Sequence, residues 1–503
     1  MSEEEASSGD PTYSFNAETT NKDGSVNYEI FVRSFYDHDG DGTGDLLGVK
    51  DKLPYLFDMG VKTLWLLPIQ NSPSYHGYDV SDYCSVNPDY GTIDDFDALV
   101  EEAEKYNIEI MIDMVLNHSS NQHPWFRESY EDYVSNNTDD TSKQDWYNWS
   151  ETLNEGYSSY NGTYYEARFD SSMPDLNLDC KALRQEIDSI FRFWINDHGV
   201  KGFRLDAVKY FYNANIEKNI EFLDFLMDTA RQYDSNFYMV GEDWESDAVN
   251  LLYYESKCPS FFRFDMSSSI VNTAKGYGKA SNFVDEIVVF EPKMHAKNPD
   301  AYAGYFLSNH DQDRPTFSTV EDAKLAASLE VLLPGDIWLY YGEEIQLWGK
   351  RQNSENSDVR RRLPMIWSKE DKTGECSFPD MSRSDLMGYT QVEDGVYDNL
   401  AEPRSLINHY KKLINARNTY NCFKHGNAQS LIEQINDESD SVVAYQLTDG
   451  DVSVQIYTNC GTEAKAVTVS GTKILEDIDT MAVKSSLEGT TLTLQPYSTV
   501  LMA

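Results

Sequence analysis

The chain has 503 residues, of which 41 are Lys or Arg and 85 are Asp or Glu, for a formal charge of −44. That length calls for one large domain and one or two smaller ones, and that charge excludes nucleic acid and anionic membrane as partners while leaving a neutral polymer unopposed. No run of about 18 apolar residues is present, so no membrane insertion is expected. Residues 1–21 are acidic and rich in Ser and Thr, without a basic or apolar region of the signal-peptide kind, and read as a disordered tail. Short apolar runs then recur at Tyr28–Phe35, Thr63–Ile69, Glu109–Val115, Gly202–Ala207, Phe237–Glu242, Phe261–Met266, Tyr302–Asn309 and Asp336–Tyr341. Near-continuous apolar runs are what a parallel strand covered on both faces requires. Helical periodicity lies between them, at Asp94–Lys105, Leu183–Asn196 and Ala323–Leu333.

Strands alternating with helices predict an α/β fold, a (β/α)8 TIM barrel, over residues 22–117 and 180–424. Residues 118–179, between the third strand and the helix before the fourth, are too many for a simple loop and predict an inserted domain. From 425 to 503 the pattern changes. Val442–Leu447, Val452–Thr458, Ala466–Val469 and Thr490–Gln495 alternate between Gly-containing turns, which predicts a C-terminal antiparallel β-sandwich domain. Cys84, Cys180, Cys258, Cys376, Cys422 and Cys460 show no metal-type spacing and read as free thiols.

In such barrels chemistry sits at the C-terminal ends of the strands. Asp113, Asp206 and Glu242 close the third, fourth and fifth strands, and Asp311 follows the seventh. Arg204 lies two residues before Asp206, so both side chains share one side of the strand. His118 and His310 sit just past strands three and seven. Glycosidic cleavage needs one ionised and one protonated carboxyl around the anomeric carbon. Asp206 beside Arg204 suits the first role, and Glu242 in a crowded, desolvated site suits the second.

Four segments carry a closer likeness: Asp113-Met-Val-Leu-Asn-His118, Gly202-Phe-Arg-Leu-Asp-Ala-Val-Lys209, Val240-Gly-Glu-Asp243 and Phe306-Leu-Ser-Asn-His-Asp311. In this order they resemble the characteristic segments of the α-amylase family of glycoside hydrolases. Met173-Pro-Asp-Leu-Asn-Leu178 resembles a further segment near the end of that family's inserted domain. The resemblance implies Asp206 as nucleophile, Glu242 as acid/base and Asp311 as stabiliser of the transition state. It implies that Arg204 orients Asp206, that Tyr78 stacks under the cleaved sugar, and that His118, His310 and His76 line the same subsite. Asp113 belongs with this substrate-binding set. Asp358 and Arg362 resemble a pair touching that sugar, and Lys209 faces the leaving-group side. Ala207 after the nucleophile leans towards α-1,4 linkages, whereas the Met-Pro-Asp-Leu-Asn form resembles a group between oligo-1,6-glucosidases and neopullulanases.

The expected activity is therefore retaining, endo-acting hydrolysis of α-1,4 bonds in starch and maltooligosaccharides. A neopullulanase-like, oligo-1,6-glucosidase-like or glucan-transferring enzyme is the nearest alternative. A non-catalytic glycan-binding relative is the alternative of another class. A monomer is expected, in an extracellular or cell-surface setting with its signal peptide removed. Asp37-His-Asp-Gly-Asp-Gly-Thr-Gly-Asp45 spaces carboxylates as a Ca²⁺ loop does. Asp37, Asp39, Asp41, Asp45 and the Thr43 carbonyl are the candidate ligands, and the family has a similar loop after its first strand. A second Ca²⁺ site near Asn117 is expected to be absent or rebuilt, because Tyr210 stands where the family uses a His.

Overall fold

The computed structural model describes residues 26–213, 215–351, 358–377, 391–478 and 483–503. The tail expected over residues 1–21 lies outside them. Eight parallel strands close into a barrel: β1 (Val26–Ile30), β2 (Thr63–Leu66), β3 (Glu109–Met114), β4 (Gly202–Leu205), β5 (Tyr238–Gly241), β6 (Ser260–Phe262), β7 (Tyr302–Phe306) and β8 (Asp336–Tyr340). Each pairs with its neighbours in chain order, and β8 closes on β1. The strands are apolar and buried almost throughout, as a barrel filled inside and covered by helices demands.

The helices that position the site are α1 (Ile93–Lys105), α2 (Pro124–Ser135), α3 (Lys181–Phe191), α4 (Ile216–Ala230), α5 (Phe264–Ala274), α6 (Ala280–Lys297), α7 (Val320–Val331) and α8 (Leu406–Thr419). Thr92 caps α1 in a reciprocal box with Asp95, satisfying donors that would otherwise be orphaned. Leu183, Ile187, Ile190 and Phe191 form the buried stripe of α3. This helix was expected to run regularly to Asn196, but it widens into a π-helical turn over Arg192–Asp197. Trp194 is thereby fully buried, and its indole N–H donates to Tyr83 O at 2.7 Å.

Every barrel strand ends before its apolar run does, two of them by the widest margin. The run Tyr28–Phe35 leaves the sheet after Ile30 and makes a 3₁₀ turn over Val32–Ser34. The run Phe261–Met266 pairs only to Phe262, and helix α5 begins at Phe264. The reason is Arg263, which turns away to pair with Asp247 and to donate to Tyr305 OH at 3.2 Å. Apolar character marks burial, and burial continues past the last ladder hydrogen bond.

The segment between β3 and α3 is a small domain. It holds α2 and a three-stranded antiparallel sheet of Trp149–Ser150, Thr163–Glu166 and Tyr157–Tyr160. Phe126 packs against Tyr147, Trp149, Tyr160 and Tyr165 with ring centroids 4.9–5.3 Å apart. Much of the aromatic richness is thus the core of this insert. After Gly426 the chain forms two antiparallel sheets of five and three strands, facing one another across Val442, Tyr457, Val467, Leu492 and Val500. The six cysteines are all free. Among the described residues no helix is long and apolar enough to cross a membrane.

Arg417 of α8 ties the barrel's closing turn to the segment leading into the C-terminal domain. Its buried guanidinium donates to the carbonyls of Val331 at 2.9 Å, Leu333 at 2.5 Å and Phe423 at 3.2 Å, and also to Gly335 O. Removing it leaves several buried acceptors unmatched, at a cost of roughly 3 kcal/mol. Arg417→Ala is expected to lower the thermal midpoint by roughly 3 °C. An unchanged midpoint in a thermal scan would show that water replaces the guanidinium at no loss.

Candidate active site

Arg204 projects from β4 into the barrel's upper end, where it is 1% exposed. Its in-register neighbour on β3 is Asp113. Nη1 lies 2.9 and 3.0 Å from the two Asp113 oxygens and 2.8 Å from Asp206 Oδ1. Nη2 lies 3.0 Å from Glu242 Oε2. One buried guanidinium therefore joins the carboxyls of three successive strands. A buried charge of either sign must be matched in this way.

Two residues beyond the strand ends take the left-handed backbone region, Ala207 at φ 51° and Trp244 at φ 42°. Such conformations cost of order 1–3 kcal/mol each for non-glycine residues and cluster where geometry is demanding. At Ala207 the turn directs the backbone N–H onto Glu242 Oε2 at 3.1 Å. At Trp244 it places the indole flat against Phe264, with centroids 4.7 Å apart and 47% of the residue exposed at the rim.

A second charged group faces the first. Asp311 accepts from Arg362 Nη2 at 2.9 Å and lies 2.9 Å from His310 Nε2. His310 Nδ1 contacts Glu29 Oε1 at 2.6 Å. Tyr78 OH reaches both His310 Nε2 at 2.7 Å and Asp113 Oδ2 at 3.0 Å, and its ring stacks on His310 within 11° of parallel. His118 Nε2 lies 3.2 Å from Tyr78 O, and His76 Nδ1 accepts from Tyr78 N at 3.1 Å.

The protonation pattern follows from burial and charge balance. Burial pushes Glu242 up to about 7 and Asp113 up to about 6, with Arg204 opposing both. Glu242 keeps the proton, because Arg204 grips both Asp113 oxygens and Tyr78 donates to one of them. His310 is buried, which favours the neutral ring, but Asp311 and Glu29 raise it to about 9. For Asp311, burial is outweighed by His310 and Arg362, which hold it well below the usual carboxylate range. Burial lowers both His118 and His76. A protonated carboxyl thus stands beside a carboxylate held by the same guanidinium, an arrangement suited to acid catalysis next to a nucleophile.

Asp206, Glu242, Asp311, His76, Tyr78, His118, Lys209, Asp358 and Arg362 line one cleft of about 1080 Å³ between barrel and insert. Asp113, Arg204 and His310 lie beneath it, at 0%, 1% and 0% exposure. Arg204 holds Asp206, the role expected of it, and Asp113 and His310, expected among the sugar contacts, lie under the groups they hold. Asp358 and Arg362, expected to touch the same sugar, both line the cleft. Arg362 holds Asp311, and Asp358 accepts from Arg361 at 2.9 Å. Lys209 pairs with Glu245 at 2.7 Å on the side of Trp244.

Sequence reasoning missed Glu29, Trp244 and Phe169. Glu29 was legible as the one acid inside the apolar run of β1. Phe169 comes from the insert and meets Tyr210 edge-on at 4.9 Å, closing one wall of the cleft, and no motif announces it.

In the acidic loop, ligand oxygens of Asp37, Asp39 and Asp45 all lie within 4.8 Å of one another. Hard oxygen donors converging in a loop fit a divalent cation such as Ca²⁺. Asp41, expected with them, is outside this cluster, and its Oδ1 accepts from Thr43 N–H at 2.7 Å. Near Asn117, Glu166 and Asp175 instead face a protein cation. Arg168 Nε is 2.8 Å from Glu166 and 3.9 Å from Asp175.

The model of the α-amylase catalytic domain matches residues 29–426. Alpha-amylase 3 of Dictyoglomus thermophilum is 36% identical, over 94% of this chain and 92% of its own. Glucan 1,6-alpha-glucosidase of Streptococcus pneumoniae is 28% identical, over 92% and 96%. The solved structure of Eubacterium rectale Amy13B superposes with a TM-score of 0.88 at 34% identity, covering 96% of each chain. The chain belongs to the α-amylase family and is a glycoside hydrolase.

Proposed function

We propose that this protein is a retaining, endo-acting α-amylase that hydrolyses α-1,4 bonds in starch and maltooligosaccharides. The observation that carries the reading is the single Arg204 guanidinium shared by Asp206 and Glu242. It holds Asp206 as an anion poised to attack, while burial keeps a proton on Glu242. Glu242 gives that proton to the glycosidic oxygen as Asp206 Oδ bonds to the anomeric carbon and the leaving chain departs. Glu242, now a carboxylate, takes a proton from water, whose oxygen displaces Asp206 and restores both groups. Asp311, fixed by His310 and Arg362, is placed to meet positive charge on the reacting sugar.

The cleft does not end at Trp244. A further hollow of about 460 Å³ continues past Trp244 and Asp311, which supports passage of a chain rather than capture of its end. An extracellular or cell-surface setting belongs to the same reading, because starch is too large to be taken up intact. In the acidic loop, Asp37, Asp39 and Asp45 would hold Ca²⁺. Its contribution there would be to neutralise their charge and fix the loop preceding Leu46, not to take part in the reaction.

Soluble starch is expected to yield short maltooligosaccharides early, and Asp206→Asn to lower that rate roughly 10⁴-fold or more. Glucose alone, panose from pullulan or lengthened products from maltotriose would move the assignment to an exo-glucosidase, a neopullulanase or a transferase. No products from any glucan would favour the binding-protein reading. Because the acid form of Glu242 is the active one, kcat/KM should fall about tenfold per pH unit above about 7. With an aryl maltoside whose leaving group needs no proton, Glu242→Gln should lose that alkaline limb. Its persistence would assign the proton to another group. Chelation should lower the thermal midpoint by roughly 5 °C, reversed by Ca²⁺, and Asp37→Ala should abolish the response. An equal response in that variant would place the cation elsewhere.

A further inference from the structure

The hollow that leaves the cleft past Trp244 and Asp311 runs over Ser268 and Asn272 of α5. Asn272 also lines a second hollow, of about 320 Å³, between α5 and α6. Its other walls include Ser269, Tyr277, Asn282 and Glu286. The two hollows and the cleft thus share residues in series: Trp244 and Asp311 at the first junction, Asn272 at the second.

Tyr277 stands at the far end, in the turn Lys275-Gly-Tyr-Gly-Lys279. It is 82% exposed, the most exposed of the large apolar or aromatic side chains among the described residues. Its backbone, by contrast, is pinned. The N–H groups of Tyr277 and Gly278 both donate to Asn272 O, at 2.8 and 3.1 Å, and Gly276 N–H donates to Thr273 O at 3.0 Å. Gly276 has φ +73°, and a Cβ on Gly278 would meet Thr273 Oγ1 at 2.6 Å, so both glycines are needed for this turn. A ring held out on a rigid turn loses little entropy when something stacks on it.

The chemistry of the hollow suits a neutral, hydroxyl-rich ligand. Its walls carry one Lys and one Glu, so it is locally uncharged on a chain of net charge −44. Asn272 and Asn282 offer both donors and acceptors. Glu286 Oε2 is buried without a hydrogen-bond partner, an acceptor that a sugar hydroxyl would satisfy.

We propose that the α5–α6 hollow and Tyr277 form a second binding site for an α-1,4-glucan chain, continuous with the leaving-group side of the cleft. The proposal rests on the assignment of the cleft to α-glucan hydrolysis. Its occupant is the same polymer, held beyond the reach of the catalytic groups, so the site acts on long chains and not on short ones.

The test compares the full-length protein with Tyr277→Ala and Tyr277→Trp, each also carrying Asp206→Asn for binding. Mobility in native gels containing amylopectin reads retention, and hydrolysis of amylopectin and maltotriose reads activity. Tyr277→Ala is expected to weaken retention about three- to tenfold and to slow amylopectin hydrolysis, with maltotriose turnover unchanged. Tyr277→Trp should keep both. Equal retention of Tyr277→Ala and its parent would overturn the proposal, as would no retention of either. Retention lost with Tyr277→Ala in a protein that hydrolyses nothing would keep this site while sinking the catalytic assignment.

Discussion

A buried guanidinium is the constraint on which the rest of the site depends. Arg204 cannot be neutralised inside the barrel, so its charge must be answered by carboxylates within hydrogen-bond reach. Asp113 answers it from below, and Asp206 and Glu242 answer it at the cleft. The barrel makes this possible by setting adjacent parallel strands in register, so that side chains from β3, β4 and β5 meet at one height. Five carboxyls (Glu29, Asp113, Asp206, Glu242 and Asp311) then share three cations, Arg204, Arg362 and protonated His310. With more acids than cations in a desolvated space, a proton is retained, and it rests on Glu242, where burial outweighs the opposing charge of Arg204.

The same logic separates the layers of the site. Groups that touch solvent in the cleft are held by buried partners: Asp311 by His310, which Glu29 holds in turn, and Tyr78 by Asp113. Preorganisation of this kind costs stability, seen in the left-handed Ala207 and Trp244. The surrounding barrel carries that cost with a large continuous core, to which α8 and the C-terminal sheets add their own contacts.

Negative charge is distributed unevenly. It dominates the chain as a whole, whereas the walls of the hollow between α5 and α6 carry one Lys and one Glu and are otherwise uncharged. In the acidic loop, converging carboxylates repel one another unless a cation sits among them. At the insert's base Arg168 meets that need from within the chain.

The sequence by itself determined the barrel, the insert and the C-terminal sheets, because apolar periodicity and chain length report burial directly. It also singled out Asp206, Glu242 and Asp311, since acids that end apolar runs stand at strand ends. What it left open was where those runs stop pairing. Val32, Ser34 and Phe264 stay buried like the strands before them, and tertiary contacts such as the Arg263–Asp247 pair decide where the ladder ends. Nor did it separate Asp113 and His310, buried beneath the cleft, from Asp311 and Arg362, which face it. Layering depends on side-chain direction around a closed barrel, a property no linear spacing carries. The pairings of Glu29 with His310 and Phe169 with Tyr210 join residues far apart in the chain, and tertiary packing alone brought them together.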